Sequence, residues 1–374
     1  LTYALDSGDL RIDQSTAQIN YQGVSANLSA GGQLVGESLT GSGNIDVDTF
    51  SPRKLLESLD SELATTDPDA LSTAEASFDF MLSPDAISIS QLTAVLDDTR
   101  INGTVSVAGF DAPAVEIQLK VDEIDLDRYL PPADQSVGSA TSSGDATATG
   151  DDALPEALRD LTVRGELGVG RLGVAGLTIS DFSAAARLAG DQLTGSGRFD
   201  IEKFSPRTLL ASQGTEVTTA DPDVLSNAEA SVAFALSPNT ISISELNAVL
   251  DDTRITGTAS IADFDAPAVT IRLNVDEIDL DRYLAPADES GRPVAASGDA
   301  PGDDDLPLES LRELNVRGDL GIDTLRVVGL TLGDFSASLN ARNGDIRFDP
   351  IRLALYGGSL AGDLRLDATS DTAK

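Results

Sequence analysis

Acidic side chains in close pairs are the feature of this sequence that most suggests chemistry: Asp97/Asp98, Asp125/Asp127, Asp279/Asp281 and Asp303–Asp305. Two carboxylates facing across a cleft can cleave a glycosidic bond. Asp-x-Asp clusters can hold calcium through oxygen ligands. The first chemistry needs sugar-stacking aromatics, yet aromatic residues make up 4% of the chain and Trp is absent. The second wants a Gly-punctuated twelve-residue loop, and no segment has that pattern. The paired acids therefore read as turn residues. Gly168, Gly170 and Gly173 match a dinucleotide-binding fingerprint by letters alone. Strand pattern follows them where that motif needs a helix N-terminus to meet phosphate, and the sister copy around Gly321 lacks two of the glycines. Tyr129 and Tyr283, each in Asp-Arg-Tyr-Leu, are the most distinctive aromatics. They read as structural corners, with Arg128 and Arg282 pairing with nearby aspartates.

Histidine and cysteine are absent from all 374 residues. That removes the commonest general base, the commonest metal ligand, thiolate zinc sites and both Ser-His-Asp and Cys-His nucleophile systems. The expectation is a protein that is no enzyme and takes no cofactor or metal. The net charge is −37, and only four cations are lysines: Lys54, Lys120, Lys203 and Lys374. Such a field repels nucleic acid and anionic membrane surfaces, so nucleic acid is excluded as a partner.

The elements that position these residues come in duplicate. LTGSGNIDVDTFSPRKLL from Leu39 returns as LTGSGRFDIEKFSPRTLL from Leu193, and AVLDDTRINGT from Ala94 as AVLDDTRITGT from Ala248. VDEIDLDRYL closes both units, and Tyr129 to Tyr283 sets an offset of 283 − 129 = 154 positions. About two-thirds of residues 37–134 are identical to 191–288, without a gap. The organisation reads as incoming strands over 1–36, a first unit over 37–131, and a flexible acidic, Gly/Ser/Ala-rich loop over 132–154. A second unit with its leading strands follows over 155–285, then a second acidic loop over 286–306 and a truncated third unit over 307–374.

Period-two alternation runs almost throughout, as at Ile87/Ile89 against Ser88/Ser90. It predicts strands with one apolar face, and Asp97-Asp98 and Asp251-Asp252 fall where hairpins turn. Ser51-Pro52 and Ser205-Pro206 supply an N-cap and an N1 proline for short helices. Further short helices are expected at Glu156–Leu161, Glu309–Leu314 and around Asp127–Leu130. Nothing points to βαβ winding, so the sheet is expected to be antiparallel. The fold class is mainly β: an elongated antiparallel repeat β-sheet, curved or groove-like, with a few short helices. Small aliphatic side chains on its apolar face suit acyl chains. The candidates are Val105, Val107, Val115, Ile117 and Leu119, with their copies Ala259, Ile261, Val269, Ile271 and Leu273. The same residues could equally fill a closed core.

The ordered series FSPRKLL, DPDALS, LDDTRINGT and DEIDLDRYLPP, followed by EALRDLTVRGELGVGRLGVAGLTISDF and finally LALYGGSLAG, resembles the AsmA family of bacterial envelope proteins. Its most specific parts are Phe50–Leu56, Leu96–Gly103, Ile124–Pro131 and Leu353–Gly362. The resemblance implies a periplasmic chain tethered to the inner membrane by an N-terminal helix outside this sequence. It also implies a role in lipid transport and outer-membrane assembly or homeostasis. Lipid, a phospholipid or another envelope lipid, is then the expected partner, bound along an apolar β-groove. The central block is doubled here, where the family pattern suggests one copy. A structural or adhesive repeat scaffold without lipid cargo is the alternative.

Overall fold

Alternating apolar and polar residues cannot bury a helical stripe, but they give a strand one greasy side and one wet side. The computed structural model describes residues 2–4, 9–59, 61, 63–110, 112–131, 161–190, 192–264, 266–285 and 315–367, and there the chain is mainly β. It divides into two compact units, Leu1–Gly197 and Arg198–Lys374. The acidic loops and the helices expected over 156–161 and 309–314 lie almost wholly outside the described residues.

The first unit runs β1 (Thr2–Ala4), β2 (Asp9–Tyr21), β3 (Val24–Val35), β4 (Ser38–Phe50), α1 (Pro52–Ser58), β5 (Ala74–Ser83), β6 (Ala86–Leu96), β7 (Thr99–Ala108) and β8 (Ala114–Asp125). A 3-10 turn (Leu126–Arg128), β9 (Thr162–Val174) and β10 (Leu177–Ala189) complete it. A long strand, β11 (Gln192–Phe204), contains the division. The second unit continues with α2 (Pro206–Ser212), β12 (Ala228–Ser237), β13 (Thr240–Leu250), β14 (Thr253–Ala262), β15 (Ala268–Asp279) and α3 (Leu280–Tyr283). It ends with β16 (Asn315–Val327), β17 (Leu330–Arg342), β18 (Asp345–Leu355) and β19 (Gly358–Asp367).

Within each unit successive strands pair antiparallel, as expected, several of them through two-residue turns and β4 to β5 by way of α1, with two exceptions. β8 pairs with β9 in parallel, Leu119 opposite Leu167, and β15 pairs with β16 in parallel, Leu273 opposite Leu320. A wholly antiparallel sheet is thereby corrected. Between the two partners of each parallel pair lies the long acidic connection, which gives the chain the length a parallel crossover needs. The hairpin expected at Asp97-Asp98 joins β6 to β7, and Tyr356-Gly357 turns β18 into β19. Gly168, Gly170 and Gly173 all lie inside β9, with no helix after them.

Both short helices start as the sequence dictates. The Ser51 and Ser205 hydroxyls accept from the Lys54 and Thr208 amides, and Pro52 and Pro206 open the helices. An N-cap of this kind contributes about 1 kcal/mol. Buried apolar residues are few. In the first unit Ala70 and Val169 are buried; in the second a cluster forms from Val275, Ile322, Leu325 and Leu332, with Val224, Ala341 and Ile346 buried elsewhere.

Candidate apolar binding face

Strand pairing turns single alternations into continuous rows. In the first unit Ile89, Val105 and Ile117 lie opposite one another in series, as do Ile87, Val107 and Val115. Leu119 faces Gly103 on one side and Leu167 on the other, and Leu167 faces Ala184. Phe80 and Leu82 of β5 extend these rows opposite Ile89 and Ile87. The second unit repeats the arrangement. Ile243, Ala259, Ile271, Gly318 and Leu339 form one row, and Ile241, Ile261, Val269, Val316 and Ala341 another.

All ten sequence candidates thus fall on an apolar face, five in each unit. Val105, Val107, Val115, Ile117 and Leu119 are half-buried, as are Ala259, Val269, Ile271 and Leu273; Ile261 is 40% exposed. Their neighbours Leu167, Leu320 and Leu339 belong to the same rows, and Phe182 lies in the next one opposite Val169; none was among the candidates. Their signal was the alternation of β9 and β16, but their placement depends on the parallel seams.

Two glycines bring the strands close at the centre of each face. A Cβ on Gly103 would meet Gln118 O at 2.2 Å and Leu119 Cδ2 at 2.7 Å; on Gly257 it would meet Arg272 O at 2.4 Å and Leu273 Cδ2 at 2.7 Å. Leu119 and Leu273 therefore lie flat over bare backbone. A shallow concavity of about 690 Å3 in the first unit is formed differently. Its lining includes Asn102 with Thr104 and Gln118 with Lys120, pairs that share the side opposite Gly103 and Leu119. Leu92, Leu119, Leu167 and Ala184 line it as well, so its surface is mostly apolar; of the five first-unit candidates only Leu119 borders it.

Asp97/Asp98, Asp251/Asp252 and the Asp-Arg-Tyr-Leu motifs form a corner with the same partners in each unit, whereas Asp303–Asp305 lies outside the described residues. Asp97 accepts from the amides of Leu71, Ser72 and Thr73 and from the Tyr129 hydroxyl at 3.1 Å. Asp251 does the same with Leu225, Ser226 and Asn227, and with Tyr283 at 2.9 Å. Arg128 donates to Asp67 at 2.7 Å and to Asp98 at 3.2 Å; Arg282 donates to Asp221 at 2.8 Å and to Asp252 at 3.4 Å. Asp125 and Asp279 cap the turns that follow β8 and β15. Partial burial raises the Asp97 and Asp251 carboxyls, but the amides and the tyrosine outweigh it and hold both below the ordinary range. Burial, reinforced by Asp251, pushes the Tyr283 hydroxyl up to about 12. These carboxylates hold backbone together, and the tyrosine-corner reading of the motif stands. Among the described residues no group of three or more acidic side chains could hold a metal ion, and no helix is long and apolar enough to cross a membrane.

The model of the AsmA family matches residues 200–374. No curated protein and no solved structure matches the chain.

Proposed function

We propose that this chain, which belongs to the AsmA family over residues 200–374, carries or shields the acyl chains of envelope lipids on its apolar sheet faces. The family supports an envelope-associated, lipid-related role. The finer reading is a periplasmic region of an inner-membrane-anchored protein that moves lipid in support of outer-membrane assembly or homeostasis. The observation that carries it is the partial exposure of the ten candidate side chains, which a closed sandwich core would bury. Rows of Val, Ile and Leu without polar partners hold a hydrocarbon chain by area alone, at about 0.8 kcal/mol per buried CH2. They do not select its chemistry. The carboxylates are engaged with amides and arginines, which supports a non-catalytic reading.

The test is native mass spectrometry of the gently purified chain followed by lipid extraction, for the parent and for Ile117→Asp with Ile271→Asp. Co-purifying phospholipid that falls several-fold in the folded double variant is the expected result. A lipid-free parent that also fails to take up fluorescent phospholipid overturns the reading in favour of a scaffold. Unfolding of the variant points to a closed core.

A further inference from the structure

We infer that Asp127 and Asp281 are positioning residues that lock the register of the two parallel seams and so keep each apolar face continuous. A hairpin fixes its register through its own turn; a parallel pair joined by a long crossover has no such device, and a one-residue slip sends every side chain to the other face. The β8–β9 and β15–β16 seams are therefore the places where the rows are least protected. At both, one carboxylate from the turn after the first strand reaches the far hairpin of the second. Asp127 accepts from the Ala175 and Gly176 amides at 2.7 and 2.9 Å. Asp281 accepts from the Val328 and Gly329 amides at 2.5 and 2.8 Å.

The clamped turns do not specify themselves. Ala175 and Val328 stand at φ +53° and +52°, where Asn, Asp or Gly is preferred and a β-branched side chain is strained. Holding both amides of the turn compensates for that preference and ties the end of β9 or β16 to the end of its parallel partner. The ion pairs across the seams differ in place and sign, and those of the second include Glu277 with Arg326 at 2.8 Å. Glu116 faces Arg164 at 3.8 Å in the first, whereas the charges are reversed at Arg272 and Asp319, 3.5 Å apart, in the second. The carboxylate-to-turn contact of Asp127 and Asp281 recurs at both seams with the same two-amide geometry.

Because the chain has no cysteine, introduced pairs report register directly. In the full chain, Leu119→Cys with Leu167→Cys crosslinks in the native register. Leu119→Cys with Gly168→Cys, or with Glu166→Cys, crosslinks only after a slip. With Asp127 intact the first pair is expected to oxidise and the other two are not. Asp127→Ala is expected to lower the native crosslink several-fold and bring up a slipped one. Asp127→Asn, which keeps one acceptor oxygen, falls between and serves if the alanine variant does not fold; amide exchange at Ala175 and Gly176 rises in the same order. An unchanged crosslink pattern and unchanged exchange in both variants overturn the register lock.

The functional consequence rests on the proposed lipid reading, and fluorescent phospholipid uptake by the same variants separates the two. Slipped register with impaired uptake supports both. Slipped register with undiminished uptake, or no uptake by the parent, overturns the lipid reading and leaves the lock standing.

Discussion

Asp97 and Asp251 each gather three consecutive amides and a tyrosine hydroxyl. Since their pKa values are depressed in the folded state, the stability they contribute is present above their ordinary value of 3.8 and is lost as pH falls through the lower folded value. A denaturation midpoint followed against pH is expected to stay level from neutrality down to about pH 4 and to drop below it. Asp97→Asn with Asp251→Asn is expected to flatten that drop while costing about 1–3 kcal/mol per site at pH 7, because amides lose a charged acceptor. Asn is the apt probe, as Asp97 and Asp251 sit at φ +51° and +52°, where Asn is tolerated. On the alkaline side the direction reverses. The Tyr283 hydroxyl, raised to about 12, contributes stability that is complete below its ordinary 10 and disappears as pH climbs toward that raised value. Tyr283→Phe is expected to remove this loss, read by the same midpoint between pH 9 and about 12.

Strands and their hairpins were legible because alternation fixes which side of a strand is apolar, and paired turn residues mark where it reverses. Val115, Ile117 and Leu119 could be assigned one face without knowing their neighbours. The parallel seams were not legible. Parallel strands are ordinarily apolar on both sides, whereas β8 and β9 keep polar residues such as Gln118 and Glu166 on one side and so imitate antiparallel partners. Leu167 and Leu320 went unnamed for that reason, and Asp127 and Asp281 looked like ordinary turn acids until the distant amides they hold were placed. The close approach at Gly103 was equally hidden, since a glycine in a strand pattern signals closeness without saying to what. The glycine is the one residue that fits there. Gly103→Ala is expected to force β7 and β8 apart and lower stability by about 1–3 kcal/mol. Gly165→Ala, with open space around it in β9, is expected to change the thermal midpoint far less.

Across the whole molecule, unequal burial separates two units that share one repeat. The second buries Val224, Val275, Ile322, Leu325, Leu332, Ala341 and Ile346 among its described residues, the first only Ala70 and Val169. The equivalents of the second-unit cluster, Val121, Leu172 and Ile179, are merely half-buried beside Val169 in the first. Apolar burial therefore favours the second unit over the first. Both also carry the self-repulsion of a chain at −37, which salt screens within a Debye length of about 8 Å at physiological ionic strength. Hydrogen exchange read by peptide mass spectrometry is therefore expected to show β15–β17 exchanging more slowly than β8–β10, despite their common sequence pattern. Raising the salt should slow both while preserving the order. Equal protection of the two stretches would mean that the buried cluster does not set local stability. In that case the shared corners at Asp97 and Asp251, rather than apolar packing, are what hold each unit closed.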